Sequence, residues 1–167
     1  MVLQVLADRF SGRFSRNPRV NAEVATVRFG PLPGARVVLA RPRTYMNESG
    51  GPVAGLASYY GVDPARIVLV HDELDLPAGV VRIKSGGGDG GHNGLKSVRA
   101  SLGSGDTVRV RVGIGRPPGR QDAADFVLRD FSAAERPEVA VTVEIAADAT
   151  EAVVLAGVAA AQNTFNA

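Results

Sequence analysis

Ile67-Val68-Leu69-Val70 is an uninterrupted apolar run that ends abruptly in His71-Asp72-Glu73. A run with no polar alternation has the pattern of a strand buried on both faces, central in a sheet. Polar residues just beyond such a strand are where α/β folds place their chemistry. The run therefore predicts both an architecture and the position of a site within it.

The flanking segments extend that architecture. Residues 2–10 carry apolar side chains at helical spacing, and Ser11-Gly12 ends them. Residues 25–29 and 35–40 read as two strands of an antiparallel hairpin around Gly30-Pro31-Leu32-Pro33-Gly34. Asn47 or Ser49 caps a predicted helix to about residue 60, closed by Gly61. Residues 80–84 form a further strand. A glycine run at 86–91 leads into a helix with Leu95, Val98 and Leu102 on one face. Residues 108–114 alternate Val and Ile with Arg109, Arg111 and Gly113, a strand with one polar face. Helices are predicted at 123–128 and 133–161, the second broken near Asp148-Ala149-Thr150. With no internal repeat and no long linker, residues 1–167 read as one α/β domain of three layers.

Composition narrows the partners. Hydrophobic residues at 45% and charged residues at 22% suit a folded domain rather than a disordered chain. There is no cysteine, which excludes disulfides and thiolate metal sites. No apolar run approaches the roughly 18 residues of a membrane span, and no basic segment precedes Met1-Val2-Leu3, so the expected location is the cytoplasm. The net charge of +2 neither announces nor forbids nucleic acid. With only two histidines, 21 positions apart, and no H-x-x-x-H, metal catalysis is not expected. G-x-S-x-G is also absent.

The strongest concentration of reactive groups is His71-Asp72-Glu73-Leu74-Asp75, four ionisable side chains in five positions. Crowded carboxylates cost stability, and function explains that cost better than a turn or cap does. Asn47 and Asn93 each precede a predicted helix and suit an N-cap. Their amides could also hold a carbonyl and a water together. His92, with no partner identifiable from sequence, reads first as a satisfied surface histidine. Gly86, Gly88 and Gly91 match G-x-G-x-x-G after a strand and before a helix. Asp89 would repel a pyrophosphate there, so a loop that lets backbone close on a substrate explains the glycines equally well. Lys84 and Arg111 fall on neighbouring strands, either as a solvated face or as a clamp on phosphate.

Taken in order, Arg41-Pro42-Arg43-Thr44-Tyr45-Met46-Asn47-Glu48-Ser49-Gly50, His71-Asp72-Glu73-Leu74-Asp75, residues 86–96 and residues 109–116 resemble the bacterial-type peptidyl-tRNA hydrolases. The likeness runs from about residue 37 to 163. It implies cleavage of the ester between a peptide and the 3′ ribose of tRNA, recycling tRNA from prematurely released peptidyl-tRNA. It implies a monomer with no metal or cofactor, whose partner is peptidyl-tRNA and not a membrane. The implied fold is one twisted mixed sheet flanked by helices. Tyr45, Asn47 and Asn93 would line the site for the peptide and 3′ end, with His92 at its border. Asp72 would support a catalytic histidine, and Lys84 and Arg111 would grip tRNA phosphate. The resemblance also leads to an expectation that the family's catalytic histidine and first central strand lie before Met1, leaving the chain truncated and impaired. The rival expectation is a non-catalytic tRNA-binding module.

Overall fold

The computed structural model describes residues 1–167. Helix α1 (Val2–Arg9) is followed by strands β1 (Ser15–Asn17), β2 (Ala22–Phe29) and β3 (Ala35–Pro42), which form an antiparallel sheet in that order. A 3₁₀ turn at Met46–Glu48 leads into α2 (Gly50–Tyr60). Strands β4 (Val68–Glu73), β5 (Val81–Ser85) and β6 (Val108–Gly113) form a second sheet in the order β4-β6-β5. Its β4–β6 pair is parallel and its β5–β6 pair antiparallel. Helices α3 (Asn93–Leu102), α4 (Ala123–Leu128), α5 (Arg136–Ala156) and α6 (Val158–Phe165) complete the chain.

The main core joins both sheets to α1 and α5. Leu6, Phe29, Ile83, Val110, Ala146 and Val153 belong to it, and Phe10 stacks on Phe29 at 4.4 Å. A smaller core lies on the other face of the first sheet, where Leu56 of α2 meets Ala22 and Val24. Strict period-two alternation in β2 makes this possible: one face sends Ala25, Val27 and Phe29 to the main core, and the other sends Ala22 and Val24 under α2.

Several expectations change here. The three-layer α/β class holds, but the strands form two hydrogen-bonded sheets rather than one. Strand β4 is not central: it pairs only with β6, and all six of its residues are half-buried. Val68 and Val70 pack against the main core, so the apolar run reflects burial on one face plus a sheltered edge. The last long helix is not broken at Asp148-Ala149-Thr150. There Thr150 returns its hydroxyl to the Ala146 carbonyl at 2.8 Å, and Ala146, Ala147 and Ala149 let the helix approach the core closely. The break falls at Gly157, whose φ of +88° a glycine adopts without strain.

The open edge of β5 is closed by side chains. Asn166 receives a bond from Ile83 N at 2.7 Å and donates to Ile83 O at 2.8 Å, copying a strand partner. No helix is long and apolar enough to cross a membrane.

Candidate active site

The carboxyl end of β4 carries His71 and Asp72 to the start of α3. His92 takes the N-cap position of that helix, and its Nδ1 accepts a hydrogen bond from Leu95 N at 3.2 Å. An acceptor nitrogen carries no proton, so the neutral ring holds its proton on Nε2. That nitrogen faces Asp72 Oδ1 at 3.3 Å. The bond from His92 holds the Asp72 carboxyl below the usual carboxylate range, against the opposing effect of burial. His92 is therefore not a surface histidine; its side chain is 17% exposed and both ring nitrogens are engaged.

His71 lies beside this pair. Its Nδ1 meets the Asp72 carbonyl at 2.7 Å, so that nitrogen must be the donor. Burial pushes its pKa down, and its Nε2 is buried without a partner. The two asparagines depart from the capping reading. Asn93 is the first residue of α3 and is exposed, because His92 does the capping. Asn47 lies exposed in the 3₁₀ turn. Ser49 occupies the N-cap position of α2 but turns its hydroxyl back to Met46 O at 2.8 Å. The free amide of Gly50 instead donates to Ser97 Oγ of α3 at 2.9 Å.

That last bond matters for the site. It ties the start of α2, and the turn bearing Tyr45, Met46 and Asn47, to the helix bearing His92 and Asn93. The approach is so close that a Cβ on Gly50 would collide with the Ser97 carbonyl, and one on Gly94 would meet Met46 Cγ at 2.9 Å. Tyr45, 82% exposed, stands at the open side. Sequence reasoning had no signal for this helix contact beyond the small residues that permit it.

The basic residues arrange themselves differently from the expected clamp. Arg111 lies opposite Arg82 on β5 and His71 on β4, and its Nε bonds Glu73 at 3.2 Å. Its charge is already answered. The residue directly opposite Lys84 is Arg109. Lys84 is exposed, whereas Arg109 is only 3% exposed and donates to the carbonyls of Gly87 and Gly88. Arg109 thus pins the glycine loop that enters His92, a role its place in a strand did not advertise.

A carboxylate, an imidazole, exposed amides and a braced glycine loop meeting at one strand end suit hydrolysis of a carbonyl ester. The comparisons agree with that chemistry. The family model described as Peptidyl-tRNA hydrolase matches residues 1–167. The peptidyl-tRNA hydrolase of Kineococcus radiotolerans is 58% identical, aligned over 100% of this chain and 86% of its own length. That of Frankia alni is 53% identical over 100% of this chain and 83% of its own. A crystal structure of peptidyl-tRNA hydrolase from Acinetobacter baumannii superposes with a TM-score of 0.88 at 32% identity, covering 99% of this chain and 83% of that one. With matches along the whole chain, the expectation of an impaired remnant finds no support. The chain belongs to the peptidyl-tRNA hydrolase family, and its function is peptidyl-tRNA hydrolysis.

Proposed function

We propose that hydrolysis takes place at the carboxyl end of β4, with Asp72 as the group that orients the attacking water. The observation carrying this reading is the Asp72–His92 pair. His92 holds one carboxylate oxygen at 3.3 Å, which leaves the other able to accept from a water. The lone pair that His92 would need as a proton acceptor is taken by Leu95 N, so His92 acts as a positioning residue.

The substrate ester would lie between the 3₁₀ turn and the start of α3. Water gives a proton to the free oxygen of Asp72 as it attacks the peptide carbonyl carbon, and the charge developing on the carbonyl oxygen is met by the amide N–H groups of Asn93 and Asn47. Collapse of the tetrahedral intermediate breaks the bond to the ribose 3′ oxygen, which takes that proton back from Asp72. The products are a peptide acid and free tRNA, which returns to translation. Tyr45 offers its exposed ring to the 3′ end. Lys84 meets phosphate, with Arg109 behind it holding the loop, and Arg111 contributes less because Glu73 neutralises it. On this reading peptidyl-tRNA is the substrate of a monomeric, cytoplasmic enzyme without a cofactor, as the family resemblance implies.

The test is turnover of N-acetyl-aminoacyl-tRNA by the wild type and by Asp72→Asn. A large fall in kcat with little change in KM is expected. Equal turnover by the two proteins would remove Asp72 from the mechanism.

A further inference from the structure

A second basic surface lies well away from the ester site, and the sequence reading did not single it out. Arg28 and Arg36 are directly opposite one another on β2 and β3, and both are exposed. Like charges facing each other across a sheet destabilise it. No carboxylate lies within 4.0 Å of either, since the ion pairs of the molecule involve other residues. Arg28 uses one nitrogen to brace the hairpin, through the carbonyls of Pro33 and Gly34 at 3.2 Å.

Two tyrosines at the end of α2 continue this surface. Arg36 lies over the Tyr60 ring at 5.7 Å and Arg19 over the Tyr59 ring at 4.9 Å. The rings themselves meet edge to face at 4.8 Å, and Tyr59 is 56% exposed. Arg19 also has no carboxylate partner. A cleft of about 380 Å³ opens beside the arginine pair, lined by Thr26, Arg28, Arg36 and Phe10. A solvated face accounts for scattered arginines. It does not account for an unneutralised cross-strand pair continued by guanidinium groups held over two tyrosine rings, one of them exposed.

The surface is remote from the reacting bond. Arg36 stands six residues from Pro42 on β3, about 20 Å at the usual strand rise. Tyr60 stands ten residues from Gly50 along α2, about 15 Å at the helical rise. A contact here cannot touch the ester or the 3′ terminus, but it can hold the body of a large polyanionic substrate.

We infer that Arg19, Arg28, Arg36 and Tyr59 form a remote docking surface for the phosphate backbone of the tRNA body. The inference rests on the reading of peptidyl-tRNA as substrate. The arginines supply counterion-releasing contacts, and the exposed ring offers a platform for an unpaired base or a sugar face. Uniform phosphate contact of this kind adds affinity without selecting sequence.

Binding of deacylated tRNA and of a short stem-loop ending in CCA tests this, measured by fluorescence anisotropy from 50 to 200 mM salt. The variants are R28Q/R36Q, the charge-retaining R28K/R36K, and R19Q. For full-length tRNA, R28Q/R36Q should weaken binding and make the log K against log salt slope shallower by about 2, one for each lost phosphate contact. Binding of the short stem-loop should be unchanged, and R28K/R36K should restore the slope. R19Q alters one exposed loop residue and should lower the slope by about 1 even if the double variant fails to fold. Identical slopes for wild type, R28Q/R36Q and R19Q would overturn the docking surface while leaving the ester site standing. Equal losses on both RNAs would also overturn it. If the wild type binds neither RNA, the substrate reading itself fails.

Discussion

The ring of His71 stands edge-on to that of His92, with centroids 4.7 Å apart and an interplanar angle of 67°. Burial, chiefly, keeps His71 neutral by pushing its pKa below the ordinary value of about 6.5. A histidine with a depressed folded pKa binds a proton more readily when unfolded. Its contribution to stability is therefore complete above about pH 6.5 and lost as pH falls through the folded value. Thermal unfolding followed from pH 8 to pH 5 should show the Tm of the wild type falling, and a flatter profile for His71→Gln. Parallel profiles for the two proteins would contradict this origin of acid sensitivity.

Asp72 works with the opposite group and the same sign. Its folded pKa is depressed, first by the bond from His92, so its charge is kept to lower pH than that of an ordinary carboxylate. The stability it contributes is present above the unfolded value of about 3.9 and is lost as pH falls through the folded one. Asp72→Asn keeps the shape and removes the charge. A loss of about 10²–10⁴-fold in kcat is expected, the usual range for a group acting on the proton of the nucleophile. His92→Asn should lower kcat less and shift the acid limb of the pH–rate profile upward, because Asp72 would return toward its ordinary range. An unmoved acid limb would count against His92 as the positioning residue.

Arg109 supports the glycine loop with two donors in a fixed fork. Lysine keeps the charge but cannot bridge the Gly87 and Gly88 carbonyls together. Arg109→Lys should therefore speed amide hydrogen exchange across residues 86–91 and raise KM. Exchange as slow as in the wild type would show that the loop holds itself.

Among the basic residues near the site, Lys84 is free and Arg111 is paired with Glu73. Lys84→Ala should make the salt dependence of tRNA binding shallower by about 0.9, the loss of one phosphate contact. Arg111→Ala should change it less. A larger effect from Arg111 would mean that its ion pair opens on binding.

Gly50→Ala probes the junction of α2 and α3. The added methyl would meet the Ser97 carbonyl and hydroxyl neighbours on α3, with no room for either helix to yield cheaply. Overpacking of this kind costs about 1–3 kcal/mol. Denaturant unfolding should show that loss, and kcat/KM should fall with it because the turn bearing Asn47 moves relative to Asn93. Unchanged stability would show that the junction is looser than its geometry.

The sequence by itself determined most of the elements, though not β1 or the place where the last helix breaks, and the neighbourhood of the chemistry. Apolar periodicity fixed β2, β3, α3 and β6, because alternation of period two or 3.6 is a local property of the chain. The polar cluster after the run at 67–70 marked Asp72, since ionisable groups gathered at a strand end stand out without any knowledge of the fold. Tertiary structure decided who meets whom. His92 lies 20 residues from Asp72, and only the placement of α3 against β4 makes it the carboxylate's partner and a helix cap in place of Asn93. Whether Arg109 or Arg111 faces Lys84 depends on the β5–β6 register: a two-residue slip would bring Arg111 opposite it, and a one-residue slip would bring a valine. The position of β4 was likewise beyond the sequence. An apolar run reports that its side chains avoid water, but hydrogen-bond pairing alone makes a strand central or leaves it at an edge.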